Sequence, residues 1–219
     1  MSVFKAPPRP GGVFSGGGAA GLRIEDGVVL GTGKVMEGIG PNLYPDTWTI
    51  HFTAGDPDIE TLAGGAATWD AAALEFDLRP QGAQLRLDFL FASEEYTEWI
   101  GSPYPDTLGV FLDGRNLAWA PGTQSPVSAD TVNGTVNAEY FVNNDIWDDF
   151  LRVPVPYDIE YDGFTTRLTI VAAVTPGQTH HLKLVIADVG DDTYDSALFL
   201  GGLSTLQEYR LTVARDAIS

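Results

Sequence analysis

Beyond residue 21 the apolar side chains recur at every second position, and that period limits the fold more than any other feature of the chain. In "AQLRLDFLFASEE", Leu85, Leu87, Phe89 and Phe91 fall on one side, and Gln84, Arg86 and Asp88 on the other. "ALEFDLRP" alternates Leu74, Phe76 and Leu78 with Glu75, Asp77 and Arg79, and "HHLKLVIADVG" sets Leu182, Leu184 and Ile186 against His181, Lys183 and Val185. "EYRLTVA" repeats the pattern with Tyr209, Leu211 and Val213. An extended chain projects successive side chains to opposite faces, so each run reads as a strand with one buried face. "LGVFLDG", "RLTIVAAV" and "SALFLGGL" are more continuously apolar and read as strands of a sandwich interior.

Turn sequences separate these runs: "RPQG", "LDGRN", "APGT", "VNGT" and "TPGQT". Parallel strands would need crossovers, and no ten-residue helical stripe lies between the runs. One short helix is expected near "DPDIETLAGG", capped by Asp56 or Asp58 and stopped by Gly64. The fold class is therefore all-β: an antiparallel β-sandwich, jelly-roll-like, with long loops and at most a short helix.

With 219 residues and 44% hydrophobic content the chain can bury one sizeable core. Residues 1–21, rich in Pro and Gly, read as a flexible arm, or as one lying against a neighbouring subunit; residues 22–219 read as a single sandwich domain. Twelve basic against thirty acidic side chains give a net charge of −18, which repels nucleic acid and anionic membranes. There is no cysteine, so disulfides and thiolate metal sites are excluded, and no apolar run is long enough to span a membrane. The amino end carries Lys5 and Arg9 without an apolar stretch behind them, so no signal peptide is visible in it as it stands. That leaves secretion by another route, trimming, or assembly inside a cell as expectations.

Acidic residues gather at strand ends. Glu94 and Glu95 close "FASEEY", Asp106 precedes "TLGVFLDG", and Asp188, Asp191, Asp192 and Asp195 crowd "DVGDDTYDSALFL". Three readings are open: a calcium site, solvated loops, or a pair of catalytic acids. Calcium takes six to eight oxygens that loops supply readily, and a divalent ion removes the mutual repulsion of converging carboxylates. Zinc is poorly supplied, since only His51, His180 and His181 are present, and the last two read as surface side chains on opposite faces. Catalytic acids need two carboxyls flanking a bound sugar; Glu94 and Glu95 diverge as strand neighbours, which leaves Glu95 with Asp188 as a pair that could meet in space. No nucleophile elbow, zincin or phosphate-loop pattern is present. Among the aromatics, Trp99 and Tyr104 stand in "YTEWIGSPYPD", where exposed rings could stack on a sugar or a protein partner. "NGT" at Asn133 formally matches a glycosylation acceptor but reads as a turn.

"GDPDIETLAGG", "WDAAALEFDLRP", "FASEEY", "DTLGVFLDG", "PVSADTVN", "YDGFTT" and "HHLKLVIADVGDDTYDSALFL" occur in this order. Together they resemble choice-of-anchor L domains, from about Gly27 to Leu200. The resemblance implies a bacterial β-sandwich, secreted or displayed at the cell surface, with no established catalysis. The acidic layout also resembles calcium-binding CUB domains, where a Glu and two Asp from separate strand-end loops hold one ion. On that likeness Glu95, Asp106 and Asp195 are the counterparts, with Asp188 a further candidate and Glu94, Asp191 and Asp192 nearby. No sorting signal or second domain is visible after "RLTVARDAIS". The expectation is a non-catalytic, calcium-stabilised (Ca2+) module of adhesion or recognition, whose partner is a protein or glycan on a surface. The alternative is a structural or decorating subunit of a phage virion or similar assembly, contacting neighbouring subunits. A carbohydrate-active hydrolase comes third.

Overall fold

The computed structural model describes residues 10–103, 105–146 and 157–206, and the backbone of Ser2–Val3. Two antiparallel sheets face each other, as the period-two pattern requires. In spatial order the larger sheet runs β1 (Ser2–Val3), β2 (Gly11–Ser15), β3 (Asp26–Gly31), β12 (Ser196–Leu206), β5 (Gln84–Ser93), β9 (Gly163–Thr165), β8 (Phe141–Asn143). β10 (Leu168–Ala173) pairs the first half of β5 on the side where β9 pairs the second half. The smaller sheet runs β4 (Thr68–Leu78), β11 (His180–Val189), β6 (Thr107–Leu112), β7 (Arg115–Asn116).

The inward residues of β5 are those the alternation selects. Leu85, Leu87, Phe89 and Phe91 pack against Leu108, Val110 and Leu112 of β6 and Leu182, Leu184 and Ile186 of β11. Two further apolar layers cover the outer faces. Phe14, Leu22, Val35, Ile159 and Tyr161 lie over Leu90, Ala92, Phe164, Ala197 and Phe199 of the larger sheet. Ile59, from the helix α2 (Pro57–Leu62), covers Phe111, Val185, Ala187 and Val189 of the smaller one. Strands covered on both faces lose the alternation, which explains the continuous apolar character of β6 and of the first half of β12.

The helix starts as its sequence indicates. The Asp56 carboxylate accepts the Asp58 and Ile59 N–H groups, Pro57 occupies the first turn, and Gly64 follows in the left-handed region at φ 70°.

Three expectations change. The stretch 1–21 does not read as a free arm throughout: Gly11–Ser15 forms β2 against β3, and Gly17–Ala20 makes one helical turn, α1. Small residues serve there because the turn packs closely; a Cβ on Gly17 would collide with the Ile24 carbonyl. "RLTIVAAV" is not an interior strand, because β10 alternates buried and exposed positions and leaves Val171 54% exposed. Among the described residues it pairs only with β5, so its outer face and second edge are uncovered. His180 is buried rather than superficial: its Nδ1 lies 2.7 Å from Asp113 Oδ2, and its Nε2 accepts the Thr175 N–H, while His181 stays exposed beside Asp77 and Glu75. Asn133 does mark a turn, its buried Oδ1 accepting the Thr135 and Val136 N–H groups. Tyr209, Leu211 and Val213 lie outside the described residues.

Replacing Phe91, fully buried at the centre of the sandwich, with Ala is expected to cost about 3–5 kcal/mol of stability in urea denaturation. Val171→Ala on the uncovered face of β10 should stay within about 0.5 kcal/mol of the wild type. Equal losses would contradict the layering described above.

Candidate functional site

Strand ends of both sheets meet at one end of the sandwich, and the register there sorts the acids by face. The β5–β9 pairs Ala92↔Phe164 and Ser93↔Gly163, continued one step, set Glu94 opposite Asp162. The β12–β5 pair Ser196↔Ser93 likewise sets Asp195 beside Glu94, whose N–H donates to the Asp195 carbonyl. The β8–β9 pair Asn143↔Gly163 sets Asn144 beside Asp162, whose carbonyl accepts the Asn144 N–H. Asp195, Glu94, Asp162 and Asn144 thus form one cross-strand row on the outer face of the larger sheet, the face of Ala92, Phe164 and Ala197.

Glu95, one residue on in the turn after β5, is turned toward a different set of partners. It meets Asp106, which precedes β6, and Asp188, which closes β11, between the sheets. The Glu95 Oε2 accepts the Asp106 N–H at 3.0 Å, Asp106 Oδ1 accepts the Val189 N–H, and the Asp106 and Asp188 carboxyls interact directly. Ser93 and Ser196, whose hydroxyls are 2.8 Å apart, lie on the same inner face. Burial pushes all three carboxyls well up from their ordinary range. For Asp106 the next cause is the Glu95 charge, and for Asp188 it is Asp106.

The residues expected to share one ion are therefore divided. Glu95, Asp106 and Asp188 are together inside; Asp195 is with Glu94 on the outer face. Asp191 turns its Oδ1 to the Thr193 N–H and hydroxyl, and Asp192 sits half-buried in the same loop, part of neither hydrogen-bonded cluster. Among the described residues, no three His, Asp or Glu side chains form a group that could hold a metal ion by themselves.

The outer cluster brings in partners that the acidic spacing did not single out. Asn42, from the segment between β3 and α2, donates its Nδ2 to Asp162 Oδ1 at 2.7 Å and to the Asn144 carbonyl at 2.9 Å. The Asn144 Nδ2 donates to the Ile159 and Tyr161 carbonyls. Both amide orientations are thereby set by acceptors, which turns each Oδ1 away from them. Among the described residues, five buried acceptor atoms here have no hydrogen bond of good geometry: both Glu94 oxygens, which the Thr47 N–H approaches, Asp162 Oδ2, Asn42 Oδ1 and Asn144 Oδ1. Glu160 and Asp195 have other work. Glu160 accepts the Leu43 N–H and the Thr47 hydroxyl, and Asp195 accepts the Thr49 N–H at 2.8 Å, so the segment across this face is tied down by carboxylates. Asp70 continues the pattern with the His51 and Thr53 N–H groups.

Burial, then the charges of Asp162, Glu160 and Asp195, hold the Glu94 carboxyl well above its ordinary range. Burial is also the first cause for Asp162, pushed up to about 8, and for Asp195, pushed up to about 7. Asp162 stands in "YDGFTT" directly before a strand, a position comparable to those of Glu94 and Asp106; it was legible in principle. Nothing in the sequence marks Asn42 or Asn144.

Of the expected recognition loop, Trp99 is 41% exposed and its ring lies 5.3 Å from that of Tyr194, while Tyr104 lies outside the described residues. A cavity of about 200 Å³ opens beside the pair, lined also by Glu95, Ser102, Asp191 and Thr193.

Comparison with family models matches residues 4–205 to the choice-of-anchor L domain. The chain belongs to this family. Its members are bacterial surface-associated modules, so a surface or secreted location follows for this one. No curated protein and no solved structure matches the chain. In this choice-of-anchor L domain no described helix is long and apolar enough to cross a membrane.

The raised carboxyls of the outer row carry a pH signature. A carboxyl raised in the folded state leaves stability intact below its unfolded value, near 3.8 for Asp, and removes it as pH climbs through the folded value. In EDTA, stability should therefore fall by at least ~2 kcal/mol between pH 4 and pH 8.5. Asp162→Asn should flatten that fall in denaturant titrations at each pH. A wild-type profile that is flat or rises over this window would contradict the assignment.

Proposed function

We propose that this choice-of-anchor L domain is a non-catalytic recognition module whose acidic end is held by a bound calcium ion. The observation that supports the ion is the group of five buried oxygens at Glu94, Asp162, Asn42 and Asn144 that, among the described residues, have no hydrogen bond of good geometry. All five are carboxylate or amide oxygens, the hard donors calcium takes, and solvent can complete a shell of six to eight. Glu94 and Asp162 would hold it by charge, and Asn42 and Asn144 by their amide oxygens. An ion there offsets the repulsion of a row of acids out of reach of bulk water. The inner trio has two such oxygens, Asp106 Oδ2 and Asp188 Oδ1, but is less suited, because Glu95 and Asp106 already accept backbone N–H groups and Asp106 interacts with Asp188.

The non-catalytic reading is favoured by the same geometry. Glu94 and Glu95 reach different neighbours, and each is almost fully buried. A glycosidase needs two carboxyls flanking an open cleft. Recognition fits the exposed Trp99 ring, which Tyr194 supports and which costs little to present.

Millimolar calcium should raise the melting temperature by roughly 5–10 °C over EDTA, the effect of an ion at about a hundredfold excess over its Kd. Glu94→Gln and Asp162→Asn should lose most of that rise. Glu95→Gln, in the inner trio, and Asp77→Asn, on the outside of β4, should keep it. Coincident wild-type melts in EDTA and calcium would sink the ion. Trp99→Ala should leave the melting temperature within a few degrees while abolishing binding to whatever glycan or protein an array of candidates identifies; a large drop in melting temperature would make Trp99 a packing residue instead.

A further inference from the structure

On the open side of the sandwich, a groove of about 820 Å³ lies between β10 of one sheet and β7 of the other. Phe89, Leu168 and Ile170 line its apolar part, and Trp119 and Tyr140 contribute aromatic rings. Two of its remaining lining residues are Arg115 and Arg167, both exposed, and no lining residue is acidic. In a chain of net charge −18 this is an unusual concentration of one sign. Lys34, Arg86 and Lys183 are committed to ion pairs with Glu37, Asp88 and the Asp56–Asp58 pair, whereas among the described residues the Arg115 and Arg167 guanidinium groups make no ion pair or hydrogen bond.

The groove is built rather than incidental. The buried Asn116 accepts the Val110 and Ala118 N–H groups at 3.1 Å each, which fixes the turn between Arg115 and Trp119. On the facing side the Thr166 N–H donates to the Tyr140 carbonyl at 2.6 Å, tying the start of β10 to the Tyr140 segment. Trp119, 38% exposed, forms an isolated bridge with Pro126 and presents an indole to solvent at the rim.

We propose that this groove binds a carboxylate-bearing sugar, an oligosaccharide of the uronic-acid type. The guanidinium forks of Arg115 and Arg167 match carboxylates in two-point hydrogen bonding. The faces of Trp119 and Tyr140 match the apolar faces of pyranose rings, and the volume is that of a small-molecule site rather than a flat interface. An acidic peptide added as a strand along the free edge of β10 would satisfy the arginines but leave the hollow reaching to Phe89 unfilled. The proposal gives the recognition role a ligand class at a second surface and rests on that role. The calcium site around Glu94 is separate, so either test can fail alone.

The test is titration calorimetry of the full chain in calcium, with a glucuronate-containing oligosaccharide, its carboxyl-reduced counterpart and hexaglutamate as probes. The glucuronate oligosaccharide should bind at least tenfold more tightly than the reduced one, and more weakly as salt is raised. The double variant Arg115→Gln/Arg167→Gln should lose at least tenfold in affinity while keeping its melting temperature and its calcium response, and Trp119→Ala should weaken both sugars. Absence of glucuronate binding by the wild type, or equal binding by the double variant, would overturn the proposal. Hexaglutamate binding as tightly, with the same dependence on the two arginines, would overturn it in favour of a peptide ligand.

Discussion

The antiparallel register at the end of β5 decides the chemistry of this molecule. Glu94 and Glu95, adjacent in the turn that follows β5, reach different neighbours: Glu94 meets Asp162, Glu160 and Asp195, and Glu95 meets Asp106 and Asp188. Each strand beside β5 then adds its own residue to the row: Asp195 from β12, Asp162 from β9, Asn144 from β8. A slip of one residue in any of these pairings would move its acid to the other face and empty the row. The apolar contacts below the row oppose such a slip, since Phe91 and Leu198 point into the sandwich while Ala92, Phe164 and Ala197 point away from it.

The buried carboxylates do two kinds of work. Glu160, Asp195 and Asp70 accept backbone N–H groups of residues 43–53, a covering segment with little regular structure of its own. A segment that crosses a protein face without pairing in a sheet must find acceptors elsewhere, and here carboxylates supply them. Among the described residues, Glu94, Asp162 Oδ2 and the amide oxygens of Asn42 and Asn144 have no hydrogen bond of good geometry, the Thr47 N–H only approaching Glu94. Their grouping separates carboxylates that hold the covering segment from those that the calcium proposal rests on, and net charge cannot make that distinction.

The acidic end and the arginine-lined groove give the domain two surfaces of opposite character. Family membership agrees with such a layout, since a surface-associated module acts through what it binds.

The strands, the two-sheet arrangement, the cap of α2 and the family were all readable from the chain, because alternation, turn residues and N-cap chemistry are local signals. The acids at the strand ends were also readable as individuals: Glu94, Glu95, Asp106, Asp188 and Asp195 are all buried. Their grouping was not. Which acids meet depends on register and on which strands are neighbours, and both are set by packing between residues more than a hundred positions apart, as Asn42 and Asp162 illustrate. The same holds for β10, whose apolar run reads as interior although the sheet ends beside it, and for the groove, whose arginines come from β7 of one sheet and from the residue before β10 of the other. Local sequence thus determined what each segment is and which faces it hides. Only the tertiary structure decided which polar atoms those faces bring together.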